Sequence, residues 1–286
     1  MTPLGIAAIA GAILAVVAYV RRSARPRRVT FQFTMSLVSW ALLWFAAASS
    51  FSRRGMVNLP DHMIGHVIVM FIVPMGLIGS ASVRSLWWVL GVSQRRRLLR
   101  WWYVGRQWRL PTWVANPLVA AVVLNVVMVS AHVPRVFDAV MEHTWAMDWL
   151  MEPAFLLSGL FFFHFLIPAV PRRIRTRLRA QLFMVLFTML EMLIMAMAMS
   201  IFTKAAWYSV MIAGSGAMSG MNMPGAATST AQAFHQQQLA AAILWICGDF
   251  WAVPCLVLIT RRLVMREGSL FAALDRQSER MSGSSL

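Results

Sequence analysis

The side chains best suited to chemistry in this sequence are imidazoles and thioethers. The segment Asp61-His62-Met63-Ile64-Gly65-His66 runs on to Met70. On a helix, positions 62, 66 and 70 lie about one turn apart and share a face. Two imidazoles at this spacing can grip one metal ion, and a thioether beneath them favours copper, Cu(I) above all. His132 precedes Val133-Pro134, and because a proline here ends a helix, it fixes a third imidazole at a helix terminus. The plainer alternative for all three is a polar helix end that bonds water or lipid headgroups.

Methionine gives the second signal. Met218, Met221 and Met223 fall within Gly214–Gly225, a stretch otherwise made of small and polar residues. Thioethers exposed in such a loop are open to oxidation, and as soft ligands they suit Cu(I). Met184, Met189, Met192, Met195, Met197 and Met199 read instead as helix packing, the ordinary work of this residue. Cys247 and Cys255 are the only cysteines, too few for a disulfide framework or a four-thiolate site.

The elements that position these residues must be membrane helices. Of 286 residues, 59% are hydrophobic and 13% charged, against about 25% charged in an ordinary soluble domain. The mean hydropathy is +0.66. Seven stretches approach the ~20 apolar residues that a crossing needs: 4–20, 31–50, 61–81, 113–131, 149–170, 180–203 and 236–260. They predict an all-α, seven-helix membrane bundle over 1–267, followed by a polar tail at 268–286.

The net charge of +16 would suggest nucleic acid in a soluble protein. Here it sorts by side. All of the 26 basic residues except Arg53, Arg54, Arg135 and Lys204 lie in 21–28, 82–112, 171–179 and 261–286, which the spans place on one side. The positive-inside rule makes that side cytoplasmic, with the N-terminus outside and the C-terminus inside. Nucleic-acid binding then loses its support. The Trp- and Arg-rich segment 84–109 reads as an amphipathic stretch lying along the headgroups.

On this topology His62, His66, His132, His143 and His235 collect at the outer face, and only His164 lies in an inner half. Glu191 and Asp249 fall in the middle of the sixth and seventh spans. Ionisable groups at such depth are costly and call for a reason. A polar clamp between helices, joining them with His164, is favoured over a conduit for metal or protons. No glycine-rich nucleotide loop and no hydrolase constellation is visible, and the single lysine, Lys204, sits at a span end where it disfavours a retinal site.

The motifs together resemble the CtaG-type cytochrome c oxidase assembly factors of bacteria. The likeness rests on His62-x-x-x-His66 with Pro74, on His132-Val133-Pro134 with Phe137-Asp138, and on Glu152 with Phe155 and Gly159. Gln237-Gln238-x-Ala240 with Trp245 completes it, so that it covers about 60–260. The sequence departs from the family's pattern at Trp149-Leu150-Met151-Glu152-Pro153, where His-x-x-Glu-His is expected, and at Gln236, where an acid is expected. The resemblance implies a non-enzymatic factor of the bacterial plasma membrane, working with cytochrome c oxidase subunits. With the soft-ligand pattern, it makes copper at the outer face the expected cargo. His62, His66 and His132 are the expected ligands, with Met70, Met221 and Met223 as transient ones. A haem-bearing oxidoreductase subunit, with two axial imidazoles, and a copper transporter are the alternatives.

Overall fold

The computed structural model describes residues 2–21, 27–81, 89–91, 93–97, 100, 116–167, 178–212 and 229–267. The Met218–Met223 loop, most of 84–109 and the tail 268–286 lie outside the described residues. Among those described the chain is helical, with no strand. The elements are α1 (Pro3–Val20), α2 (Arg27–Ala48), α3 (Ser50–Gly55), α4 (Leu59–Gly79), α5 (Pro117–His132), α6 (Pro134–Glu142), α7 (Thr144–Leu166), α8 (Leu178–Ser200), α9 (Ser209–Ile212) and α10 (Thr230–Glu267).

Six of these helices are long and apolar enough to cross a membrane, and a seventh crossing is reached if α5 and α6 count as one span bent by 74°. The bend falls at Val133-Pro134, where the proline was expected to stop the helix. Helix starts follow local chemistry. Thr2 Oγ1 accepts the Gly5 N–H at 3.1 Å ahead of Pro3, and Asn116 Oδ1 accepts that of Leu118 at 2.9 Å ahead of Pro117. Asn58 Oδ1 likewise accepts the Asp61 N–H at 3.3 Å, with Pro60 in the first turn. Each cap satisfies a donor that the helix leaves free, and proline is tolerated where no N–H is needed. The last crossing, α10, runs well past the expected 236–260 at both ends, because leaving the hydrocarbon does not itself end a helix.

Two crossings share a local irregularity. In α4 residues Ile68–Ile72 form a π turn, and the Val73 N–H donates to the Ile68 carbonyl. In α7 residues Met147–Met151 do the same, and the Glu152 N–H donates to Met147. Each π turn ends two residues before a proline, Pro74 or Pro153. A proline has no N–H for the carbonyl four residues back, and a wider turn is one way to absorb that loss.

In α4 the carbonyl so released is that of Met70, and α7 crosses directly over it at Gly159. A Cβ at Gly159 would meet the Met70 carbonyl oxygen and lie 2.7 Å from Pro74 Cγ. Only glycine permits this approach. The C-terminal half of α4 is anchored on its other side too, where Gly76 sits 3.3 Å (to a built Cβ) from Ser39 Cβ of α2.

The core lies between α4, α5, α7, α8 and α10. At its centre Trp251, fully buried, stacks on Phe71 with ring centroids 4.8 Å apart and meets Phe162 and Phe163 edge-on at 5.7 and 5.9 Å. Its indole N–H points to the Met192 sulfur at 3.5 Å. Asn125 ties α5 to α8 by donating to Thr188 Oγ1 at 3.0 Å.

Candidate functional site

At one end of the bundle the start of α4 meets the end of α5, and the three expected imidazoles come together. His62 and His66 sit one turn apart on α4 with centroids 4.2 Å apart, and His66 lies 6.3 Å from His132 of α5. All three are buried, none more than 6% exposed. Phe137 closes on His62 at 5.3 Å and Phe155 on His66 at 4.5 Å. The cluster therefore has aromatic walls and no water-facing side.

Their hydrogen bonding is incomplete. His132 Nδ1 lies 2.7 Å from the Met128 carbonyl, which can only accept, so Nδ1 carries the proton and a neutral ring presents its Nε2 lone pair inward. That Nε2 faces the Met63 sulfur at 3.3 Å. His62 Nε2 has no partner. Both ring nitrogens of His66 are also without one. Buried polar atoms are nearly always satisfied, so three orphaned imidazole nitrogens in one pocket need an explanation.

A soft cation would supply it. Metal-bound imidazoles commonly donate the second ring nitrogen to a backbone carbonyl, as His132 does here. The rings pack edge to face, however, with interplanar angles of 63° and 82°. Among the described residues no three His, Cys, Asp or Glu side chains are arranged to hold a metal ion as they stand. Coordination would require the rings to turn.

The thioether at the cluster is that of Met63, which the spacing argument passed over. Met70 lies within the π turn, where the expected one-face ladder loses register, and is buried in the main core at 2% exposure. Position 63 could have been found as i,i−3 from His66, a spacing that also shares a helical face. Met221 and Met223 are outside the described residues. His143 and His235 are exposed and do not join the buried cluster.

Glu152 is a further buried polar group, 5% exposed, with Oε2 lacking a partner. It stands one turn before Phe155, the ring against His66, so the acid of the resemblance lies on the helix that walls the site.

The segment after α8 is strapped across this end. Tyr208, 1% exposed, packs on Phe137 at 4.0 Å and donates to the His132 carbonyl at 3.3 Å. Burial, and then the Asp138 carboxylate, push the Tyr208 hydroxyl pKa above its ordinary value. Asp138 accepts from Ser209 N at 3.1 Å, Ser209 Oγ at 2.6 Å and Val210 N at 3.3 Å. Gln237 Oε1 accepts from Trp207 N at 2.6 Å while its Nε2 donates to the Met199 carbonyl at 2.8 Å. Asp138 and Gln237 thus hold residues 207–210 over the imidazoles.

The expected clamp between Glu191, Asp249 and His164 is not how these groups sit. Asp249 and His164 are exposed on the outside of the bundle, and Glu191 Oε2 is buried without a partner.

The fold and site define a multi-pass helical membrane protein with a closed imidazole–thioether pocket at one end. The family model for the cytochrome c oxidase caa3 assembly factors, Caa3_CtaG, matches residues 12–266, and the chain belongs to that family. No match was found among curated proteins or among solved structures.

Proposed function

We propose that the protein is a non-enzymatic factor that hands Cu(I) to cytochrome c oxidase subunits at the outer face of the bacterial plasma membrane. One observation carries this reading: three imidazoles sit in one buried pocket, with three of their nitrogens lacking any partner and a thioether beside the third ring. Copper is the cargo. His62, His66 and His132 hold it with Met63, and Met70 lies below as a further thioether. Met221 and Met223 act as transient carriers toward the pocket.

The edge-to-face packing of the rings suits transfer rather than storage, since the ion is taken up only when the rings turn. The outer placement rests on the arginine distribution, which sets the N-terminus outside and the C-terminus inside.

Purified protein should bind Cu(I), and His62→Ala/His66→Ala should abolish that binding while its helical content stays unchanged. Oxidase from cells lacking the protein should be copper-poor. Copper binding unaffected by the double substitution would remove the central claim. A Soret band in the optical spectrum would replace it with the haem reading.

A further inference from the structure

The lipid-facing side of α10 carries a feature that a monomer in hydrocarbon does not explain. Leu244, Gly248, Trp251, Ala252, Cys255 and Ile259 form its buried face, packed on α8 and α4. The opposite face is an open groove lined by Trp245, Ile246, Asp249, Phe250, Val253 and Pro254. Trp245, Ile246, Phe250 and Val253 are each more than half exposed. An apolar face alone would simply be covered by lipid. This one holds a carboxylate halfway along the apolar stretch 239–260, and Asp249 has no hydrogen bond or ion pair among the described residues.

A second polar group sits beside it. Pro254 lies inside the helix and has no N–H for the Phe250 carbonyl, which loses its usual donor. Two acceptors, a carboxylate and a backbone carbonyl, therefore lie together at mid-bilayer depth on an outward face, where no water is available to satisfy them. Ionisable groups at this depth almost always face a partner or a cavity.

We infer that this groove docks a transmembrane helix of the oxidase, one that carries a hydrogen-bond donor or cation at its midpoint to meet Asp249 and the Phe250 carbonyl. Charge complementarity selects that occupant over a second copy of this chain. Parallel two-fold pairing of the same face would set one Asp249 carboxylate against the other. The groove is lined by α10 alone, and the opposite face of that helix packs on α4, which carries His62 and His66. The choice of client rests on the copper-delivery reading, but the docking itself does not require copper.

The test is a photo-crosslinking residue at Val253 in the full chain, in cells making the oxidase, with Leu157 on the exposed side of α7 as a control position. The Val253 adduct should contain an oxidase subunit, identified by mass, and the Leu157 adduct should not. Asp249→Leu, which suits hydrocarbon and spares the fold, should lose the adduct. Asp249→Asn, whose amide oxygen still accepts, should keep it. An adduct with lipid only, with a second copy only, or one that survives Asp249→Leu overturns the proposal. If docking fails while His62→Ala/His66→Ala still leaves the oxidase copper-poor, the delivery reading stands without this surface. If the adduct forms but copper content ignores the histidines, the surface stands and the delivery reading falls.

Discussion

Gly159→Ala isolates the crossing on which the site's main helix depends. The added methyl would meet the Met70 carbonyl oxygen and approach Pro74 Cγ to 2.7 Å and the Met70 carbonyl carbon to 3.0 Å. Ordinary contact begins near 3.4 Å, so α4 and α7 must separate by at least the difference, most of an ångström. Backbone and a proline ring stand in the way, so a flexible side chain cannot swing aside. Overpacking of this kind costs about 3 kcal/mol, the upper end of its usual range. That corresponds to a fall in melting temperature of roughly 5–10 °C, measurable by fluorescence-detected thermal unfolding in detergent. Gly79→Ala is the matched control, because a Cβ there meets nothing within 4 Å, and better helix propensity should make it neutral or slightly stabilising. Displacing the π turn also shifts His66 against His132, so Cu(I) affinity should fall with stability. A Gly159→Ala protein that melts with wild type would refute the close crossing and the account of the π turn built on it.

Three further outcomes follow from the site. Met63→Leu nearly conserves volume and removes the sulfur beside His132 Nε2, so it should weaken Cu(I) binding by titration while leaving the melting temperature within a few degrees. Asp138→Ala removes the acceptor of three bonds to Ser209 and Val210; it should cost about 1–2 kcal/mol and speed hydrogen exchange at the two backbone amides. The Tyr208 hydroxyl is held above its ordinary value in the folded state, so the folded form keeps its proton where the unfolded form loses it. Stability should then be full below the ordinary tyrosine value of about 10 and decline as pH rises above it. Tyr208→Phe should remove that decline, which melting curves across alkaline pH would show.

Much of the bundle is legible in composition, because a crossing helix must be apolar over its whole length. The meeting of His62, His66 and His132 is legible as well: two sit one turn apart on one helix, and Pro134 places the third at a helix end on the same side. The thioether is not legible in the same way. A period of 3.6 extrapolated from His66 leads to Met70, and hydropathy carries no trace of a π turn. Only the prolines at 74 and 153 hint at it. The exposure of Asp249 is hidden from the sequence for a related reason. Depth in the membrane is set by counting along the sequence, whereas the face presented is set by which neighbours α10 packs on. The strap at 207–210 depends on Asp138 and Gln237 reaching across long sequence separations, and no local pattern announces such bonds.

The π turn at Ile68–Ile72 has a consequence for how this family can vary. An α-helix advances about 100° per residue, so the number of residues in the regular turns sets the phase between two faces of a single span. The phase before the turn aims His62 and His66 at α5, and the phase after it aims Pro74 and Gly76 at their neighbours. Deleting one residue between 68 and 72 would close the wide turn into a regular one and leave both faces aimed nearly as they are, because the π turn holds its surplus residue within a single turn. Deleting a residue from the regular turns on either side would instead swing one face by about 100° against the other. In an alignment of working relatives, a one-residue gap should fall within 68–72 rather than elsewhere along this span.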